Sequence, residues 1–256
     1  MTPGLARAST VPQLLQALAA SDPGRPRLTW YDDAAGPTRG ERIELSARVL
    51  ATWVAKAANL LVDELDVSPG DRVTLELPTH WRAAYWLLAA WSAGAEVVVG
   101  DSSGDPVGSM ASGDTSSGTV VITDRPASAP PGSQVVAVTL PALARSWVGA
   151  PLPDGAVDEA ASVTGQPDVF EPVGEPDADS PALTFARRSV SYGDLLVRAR
   201  AVGHPDQARV LVSTGPGDAI AGLLAPLVVD GSVVLVRDPD PALLGERCQA
   251  ERVTSV

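Results

Sequence analysis

Apolar positions along this chain follow two rhythms. Val11, Leu14, Leu15 and Leu18 fall on one face of a helix predicted over Thr10–Ala20. Val49, Leu50, Trp53, Ala57, Leu60, Leu61 and Leu65 form the stripe of a longer helix over Ser46–Leu65, with Ser46 placed to cap its first turn. Short, nearly continuous apolar runs predict buried strands at Leu28–Tyr31, Arg72–Leu77, Ala95–Val99, Thr119–Thr123, Gln134–Val138, Pro181–Phe185, Ala208–Ser213 and Ser232–Val236. Further helices are expected over Trp81–Ala93, stopped by Gly94, and over Leu140–Trp147, Ser191–Ala201, Asp218–Val229 and Pro239–Glu251. Val253–Val256 reads as the start of another strand.

One block of this pattern occurs twice. Residues 72–101 and 209–238 align without a gap and share Arg72/Arg209, Val73/Val210, Ala84/Ala221, Leu87/Leu224, Gly94/Gly231, Val97/Val234, Val99/Val236 and Asp101/Asp238. Each block reads strand, Pro/Gly loop, helix, Gly, strand, which is one β-α-β unit. The expected fold class is therefore α/β, with two similar lobes, each a parallel-type sheet flanked by helices. Ala150–Asp179 is crowded with Pro, Gly and acidic residues and reads as a linker. The expected division is a first lobe over 1–150, a linker over 151–180 and a second lobe over 181–256.

Composition narrows the function classes. The 256 residues are 45% hydrophobic, enough for real cores, and carry a net charge of −12. With no basic run, nucleic acid and anionic membranes are not expected partners. The longest apolar runs, Ala83–Ala93 and Ile220–Val229, are too short to span a bilayer. A single cysteine, Cys248, points to a reduced, cytoplasmic setting and to a small buried hydrophobe. Lys56 is the one lysine, so any lysine-dependent chemistry has one candidate, and its place on the first long helix makes it a surface residue.

Several stretches, in order, resemble the N-terminal domain of the AMP-forming adenylating enzymes, the acyl-CoA synthetase and adenylation-domain family. The segment 44–101, with its Pro-Gly-Asp-Arg-Val turn (69–73) and its helix ending in Ala-Gly-Ala (93–95), looks like that domain's opening. The segments 116–124, 190–202, 221–236 and 242–256 look like later helices and strands. The likeness covers about Leu28–Val256 and is close to short actinobacterial proteins related distantly to AMP-dependent synthetases. It implies a phosphate loop, rich in Ser, Thr and Gly and ending in Pro-Lys-Gly, between the strand at Pro181–Phe185 and the helix at Ser191. Here that interval holds only Ala186-Arg187-Arg188-Ser189-Val190, without glycine or lysine. The family's adenine motif, acidic motif and lid domain with its catalytic lysine have no counterpart in these 256 residues. No catalytic residue is carried over.

The remaining candidates are weak sites. Arg187 and Arg188 could meet an anion ahead of a helix N-terminus, or be two solvated arginines in a shortened turn. Gly215-Pro216-Gly217 opens a helix after a strand, but Ile220 stands where a dinucleotide fingerprint needs glycine and Asp218 would repel phosphate, so a tight turn is favoured. His80 and Trp81 lie at a strand's C-terminal end, where open α/β sheets bind ligands; helix capping and interlobe packing are the plainer roles. Gly113–Thr119 lacks the lysine of a P-loop and reads as a connection. Asp101 and Asp238 are explained by the repeat, no metal motif exists, and no cofactor is expected. Trp53, Trp81, Trp86 and Trp91 suit packing, or an exposed patch. The leading expectation is a non-catalytic homologue with a binding, regulatory or protein-interaction role. The alternatives are a residual acyl or nucleotide binder, with its ligand between the lobes, and a ligase-like enzyme completed by a partner chain. A homodimer is the expected assembly.

Overall fold

The structure is a computed structural model that describes residues 3–100, 119–172 and 174–255. The Gly113–Thr119 candidate, apart from Thr119, and Asp101 lie outside the described residues.

After a first turn of helix, α1 (Pro3–Arg7), Thr10 caps α2 (Val11–Ser21) by accepting from the Gln13 N–H, and Val11, Leu14, Leu15 and Leu18 are buried as the pattern predicts. Ser46 likewise caps α3 (Ala47–Asn59), which widens into a π-helical turn at Leu60–Glu64. The buried face of α3 is carried by Leu50, Val54, Ala57 and Ala58, rotated from the predicted stripe so that Val49 is exposed. The helix α4 (Trp81–Ser92) is buried at every position and stops at Gly94, whose φ of +81° is natural for glycine at a helix C-terminus.

Two sheets carry these helices. Strands β1 (Pro26–Asp32), β2 (Arg42–Ser46), β10 (Arg209–Val212) and β11 (Ser232–Arg237) form a four-stranded sheet ordered β10-β11-β1-β2. Strands β3 (Arg72–Glu76), β4 (Glu96–Val99), β5 (Val120–Thr123), β6 (Gln134–Ala137), β7 (Val157–Asp158), β8 (Pro181–Phe185) and β9 (Arg188–Ser191) form a seven-stranded sheet ordered β7-β6-β5-β3-β4-β8-β9. Among the described residues, β1–β2 and β8–β9 pair antiparallel and the other pairings are parallel. Helices α3, α4, α6 (Tyr192–Ala201) and α7 (Ala225–Val228) share one continuous apolar core with both sheets. On the far side of the four-stranded sheet, Leu244 and Cys248 of α8 (Pro241–Ala250) pack with Leu211, Val234 and Val236.

Both repeated blocks are parallel strand–helix–strand units, β3–α4–β4 and β10–α7–β11. They differ by one residue of register. Arg72 faces Glu96, whereas Arg209 faces Ser232, one position earlier than the repeat would place it. Because strand side chains alternate between faces, this slip sends equivalent residues to opposite sides. Val97 and Val99 join the central core, while Val234 and Val236 lie under α8.

The sheets do not follow the sequence division at 151–180. β1 and β2, from the first segment, pair with β11; β8 and β9, from the last, pair with β4. The segment between carries β7, the one-turn helix α5 (Glu159–Ser162) and a 3-10 turn at Val163–Gly165. The helix expected over Leu140–Trp147 is a series of turns instead. Side chains capture its backbone: Glu41 accepts the Ala142 N–H at 2.9 Å and Asp158 accepts the Trp147 N–H at 2.7 Å. The expected last strand is reduced to one bridge, Ser255 with Val210.

Candidate functional site

The carboxyl ends of β3 and β10 and the loops after them face each other across a cleft between the sheets, the position where an α/β sheet ordinarily receives a ligand. Two hydrogen bonds tie its walls together. Trp30 Nε1 donates to the Thr79 carbonyl at 3.0 Å, and Thr79 Oγ1 donates to the Thr214 carbonyl at 3.1 Å. Ala83, Ala84, Leu87, Gly222 and Leu223 line the remainder, leaving about 30 Å³. That is room for one or two waters, against the ~300 Å³ or more of an ordinary small-molecule site.

His80 backs this cleft but is fully buried. It is the N-cap of α4: Nδ1 accepts the Arg82 N–H at 3.1 Å, and Nε2 lies 3.0 Å from the Leu140 carbonyl. An acceptor at one nitrogen and a carbonyl at the other fix the neutral, Nε2-protonated tautomer. Burial, with the nearby Arg82 cation, pushes its pKa down to about 3. Its ring packs 4.2 Å from that of Trp30. Capping and packing thus occupy the groups an acid/base role would use.

Gly215 precedes a 3-10 turn, Pro216–Asp218, and Gly217 lies within it. Gly217 packs closely: a Cβ there would come within 2.4 Å of the ring of Phe185, the last residue of β8, which would have to shift. Thr214 Oγ1 donates to the Asp218 carboxylate at 3.1 Å, at the same turn. The structure therefore brings His80 and Gly215 to the cleft, while Gly217 lies against Phe185 outside its lining.

Arg187 and Arg188 lie apart from a helix end. Ala186 and Arg187 have φ of +47° and +62°, the signature of a two-residue type I′ turn, and Phe185 pairs directly with Arg188 across it. The turn leads into β9 rather than into a helix. The helix N-terminus comes later, where Ser191 Oγ accepts the Asp194 N–H and caps α6. Both arginines are exposed and make no ion pair among the described residues.

Trp53, Trp81, Trp86 and Trp91 pack in or against the core, Trp53 only partly buried. Trp81, Trp86 and Trp91 are buried, Trp53 stacks on Tyr85 at 5.6 Å, and Trp91 Nε1 donates to the Ala182 carbonyl. Asp238 is exposed. No group of three metal-ligating side chains occurs among the described residues.

Sequence reasoning missed a buried polar cluster beside His80. Arg82 Nη1 bonds both carboxylate oxygens of Glu159, at 2.9 and 2.7 Å, and Tyr85 donates its hydroxyl to the same carboxylate. All three side chains are buried. Burial pushes the Glu159 pKa up, and Arg82 opposes that shift. Glu159 belongs to the segment read as a linker, so only its place beside Ala160 and Ala161, behind the capping Asp158, hinted at a helix. Lys56 is no free surface residue either. Its ammonium bonds the Thr164 and Gln166 carbonyls and pairs with Asp168 at 2.8 Å, while Asn59 Nδ2 holds the Pro167 and Val169 carbonyls at 3.0 Å.

Comparison with known proteins gives the family. No family model matches the chain. A TIGR03089 family protein of Mycobacterium tuberculosis (strain ATCC 25618 / H37Rv) is 38% identical over 248 residues, covering 95% of this chain and 96% of that protein. Among solved structures, a fatty acyl-adenylate ligase from L. pneumophila matches with a TM-score of 0.72 at 14% identity, over 100% of this chain and 45% of its own. A Brucella canis acyl-CoA synthetase matches at 0.70 and 18%, over 94% and 46%. Klebsiella oxytoca NpsA matches at 0.69 and 17%, over 97% and 47%. The chain thus spans less than half the length of those solved proteins, and at these identities the likeness is one of fold. With the fold of the N-terminal part of adenylate-forming enzymes, the chain belongs to the TIGR03089 family.

Proposed function

We propose that this protein is a non-catalytic relative of the adenylating enzymes, with a binding or interaction role. The β8–β9 connection carries this reading. At the place where the resembled family puts its phosphate loop, the chain turns in two residues, Ala186 and Arg187, and resumes pairing at once. Such a turn presents no row of free N–H groups and no lysine. Each charge-assisted hydrogen bond forgone to a triphosphate is worth roughly 1.5–3 kcal/mol. The small cleft, the spent nitrogens of His80 and the carboxylate of Asp218 support the same reading.

Thermal unfolding with millimolar MgATP tests it. A ligand held only by the native state raises stability. The expected midpoint is no higher with nucleotide than with the same concentration of inorganic phosphate; a saturable upward shift that phosphate does not reproduce would contradict the proposal. As an interaction protein the chain is expected to self-associate, with a two-chain mass by light scattering at micromolar concentration. A one-chain mass that does not change on concentration would reject that assembly.

A further inference from the structure

At the opposite end of the four-stranded sheet from the cleft lies a polar groove of about 290 Å³. It sits where β1, β10 and β11 begin, and its walls include Arg25, Gln207, Arg209, Ser232, Arg252 and Thr254, with Glu251. Its arginines outnumber the carboxylates that pair with them. Asp230, behind the groove, is held at 2.7 Å by the fully buried Arg27, which also donates to the Asp230 and Gly231 carbonyls. Glu251 is held by Arg209 and by Arg42. Arg25 pairs with the second Asp230 oxygen at 3.7 Å, so that one carboxylate serves both Arg25 and Arg27, and Arg252 has no ion pair among the described residues.

The groove also offers a neutral donor. Ser232 Oγ accepts from Arg209 Nη1 at 3.0 Å, which leaves its hydroxyl proton free to donate. Two cationic forks and a hydroxyl match a tetrahedral dianion, since guanidinium groups bind phosphate oxygens in pairs. We infer that this groove is a binding site for a phosphate-class anion, either inorganic phosphate or a small phosphomonoester. The site is independent of the proposed loss of adenylating chemistry, because it uses neither the cleft nor the β8–β9 turn.

Isothermal titration of the full chain at fixed ionic strength, with inorganic phosphate and with glycerol 3-phosphate, tests the site. Saturable one-to-one binding of either probe is expected. Tighter binding of glycerol 3-phosphate would assign the phosphomonoester, and equal or tighter binding of inorganic phosphate the free anion. The Arg25→Gln/Arg252→Gln variant is expected to weaken binding at least tenfold, and Arg187→Gln/Arg188→Gln to leave it unchanged. Arg252→Gln alone breaks no ion pair, so it keeps the fold, and a severalfold loss is expected from it. No saturable heat for either probe, the same affinity in the Arg25/Arg252 variants, or loss of binding in the Arg187/Arg188 variant would overturn the assignment.

Discussion

His80 stands at a strand's carboxyl end, yet both its ring nitrogens are spent on the protein's own backbone. This has a pH signature. The folded pKa of about 3 lies below the ordinary value of about 6.5. Between those values the unfolded chain binds a proton that the native state refuses, so stability falls as pH drops through that window. Above about pH 6.5 neither state is protonated and the group contributes nothing. The slope is at most about 1.4 kcal/mol per pH unit. His80→Asn keeps a capping acceptor without titrating, so its urea-unfolding free energy should decline less steeply from pH 6 to pH 4 than that of the wild type. Equal slopes would show that His80 titrates normally. Gly231→Ala is a second residue-scale test, because the new Cβ would lie 2.6 Å from the Pro226 carbonyl oxygen and closer still to that of Ala208. A destabilisation of about 1–3 kcal/mol is expected in urea midpoints. His80 as a cap was legible, since it stands just before a helical pattern. Its tie to Leu140, 60 residues on, was not, because no local signal marks a side chain bonding a distant carbonyl.

Among the elements, the span from β7 to about residue 170 was the least legible. Its Pro, Gly and acidic residues signal a loop, and most of it is one. What fixes it is a set of side chains that leave no periodicity: Lys56 and Asn59 on its carbonyls, and Arg82 and Tyr85 on Glu159. Removing one partner of a buried pair strands the other charge, which costs about 3–5 kcal/mol. Glu159→Ala should therefore lower stability by that order, while Arg82→Met/Glu159→Leu should regain much of it. A double variant no better than the single would show that the pair contributes by more than mutual neutralisation. The hairpin β8–β9 was half legible. Ala186–Val190 has no glycine, which excluded a phosphate loop, but it also lacks the Asn-Gly that marks a type I′ turn. Positive φ at a non-glycine residue is strained by ~1–2 kcal/mol. Replacing Ala186-Arg187 with Asn-Gly should therefore stabilise the protein by about 1 kcal/mol or more in urea unfolding. An unchanged or lower midpoint would argue against the two-residue turn.

Across the whole molecule, the repeat in the sequence correctly indicated two parallel strand–helix–strand units, because strand, turn and helix signals are local. It did not reveal that β1 and β2 complete the sheet of the second unit, or that β8 and β9 complete that of the first. Strand order is set by which apolar faces meet, and a local pattern does not carry that information. Nor did eight identities disclose the one-residue slip of β11, since Val97 and Val234 are the same residue serving different cores. The central claim is that this scaffold has kept the adenylating fold without its chemistry, and carboxylate-dependent ATP–pyrophosphate exchange by the purified chain tests it most directly. The account predicts no exchange above the no-enzyme background with short, medium or long acyl carboxylates or amino acids. Exchange that requires a carboxylate and scales with protein concentration would contradict it.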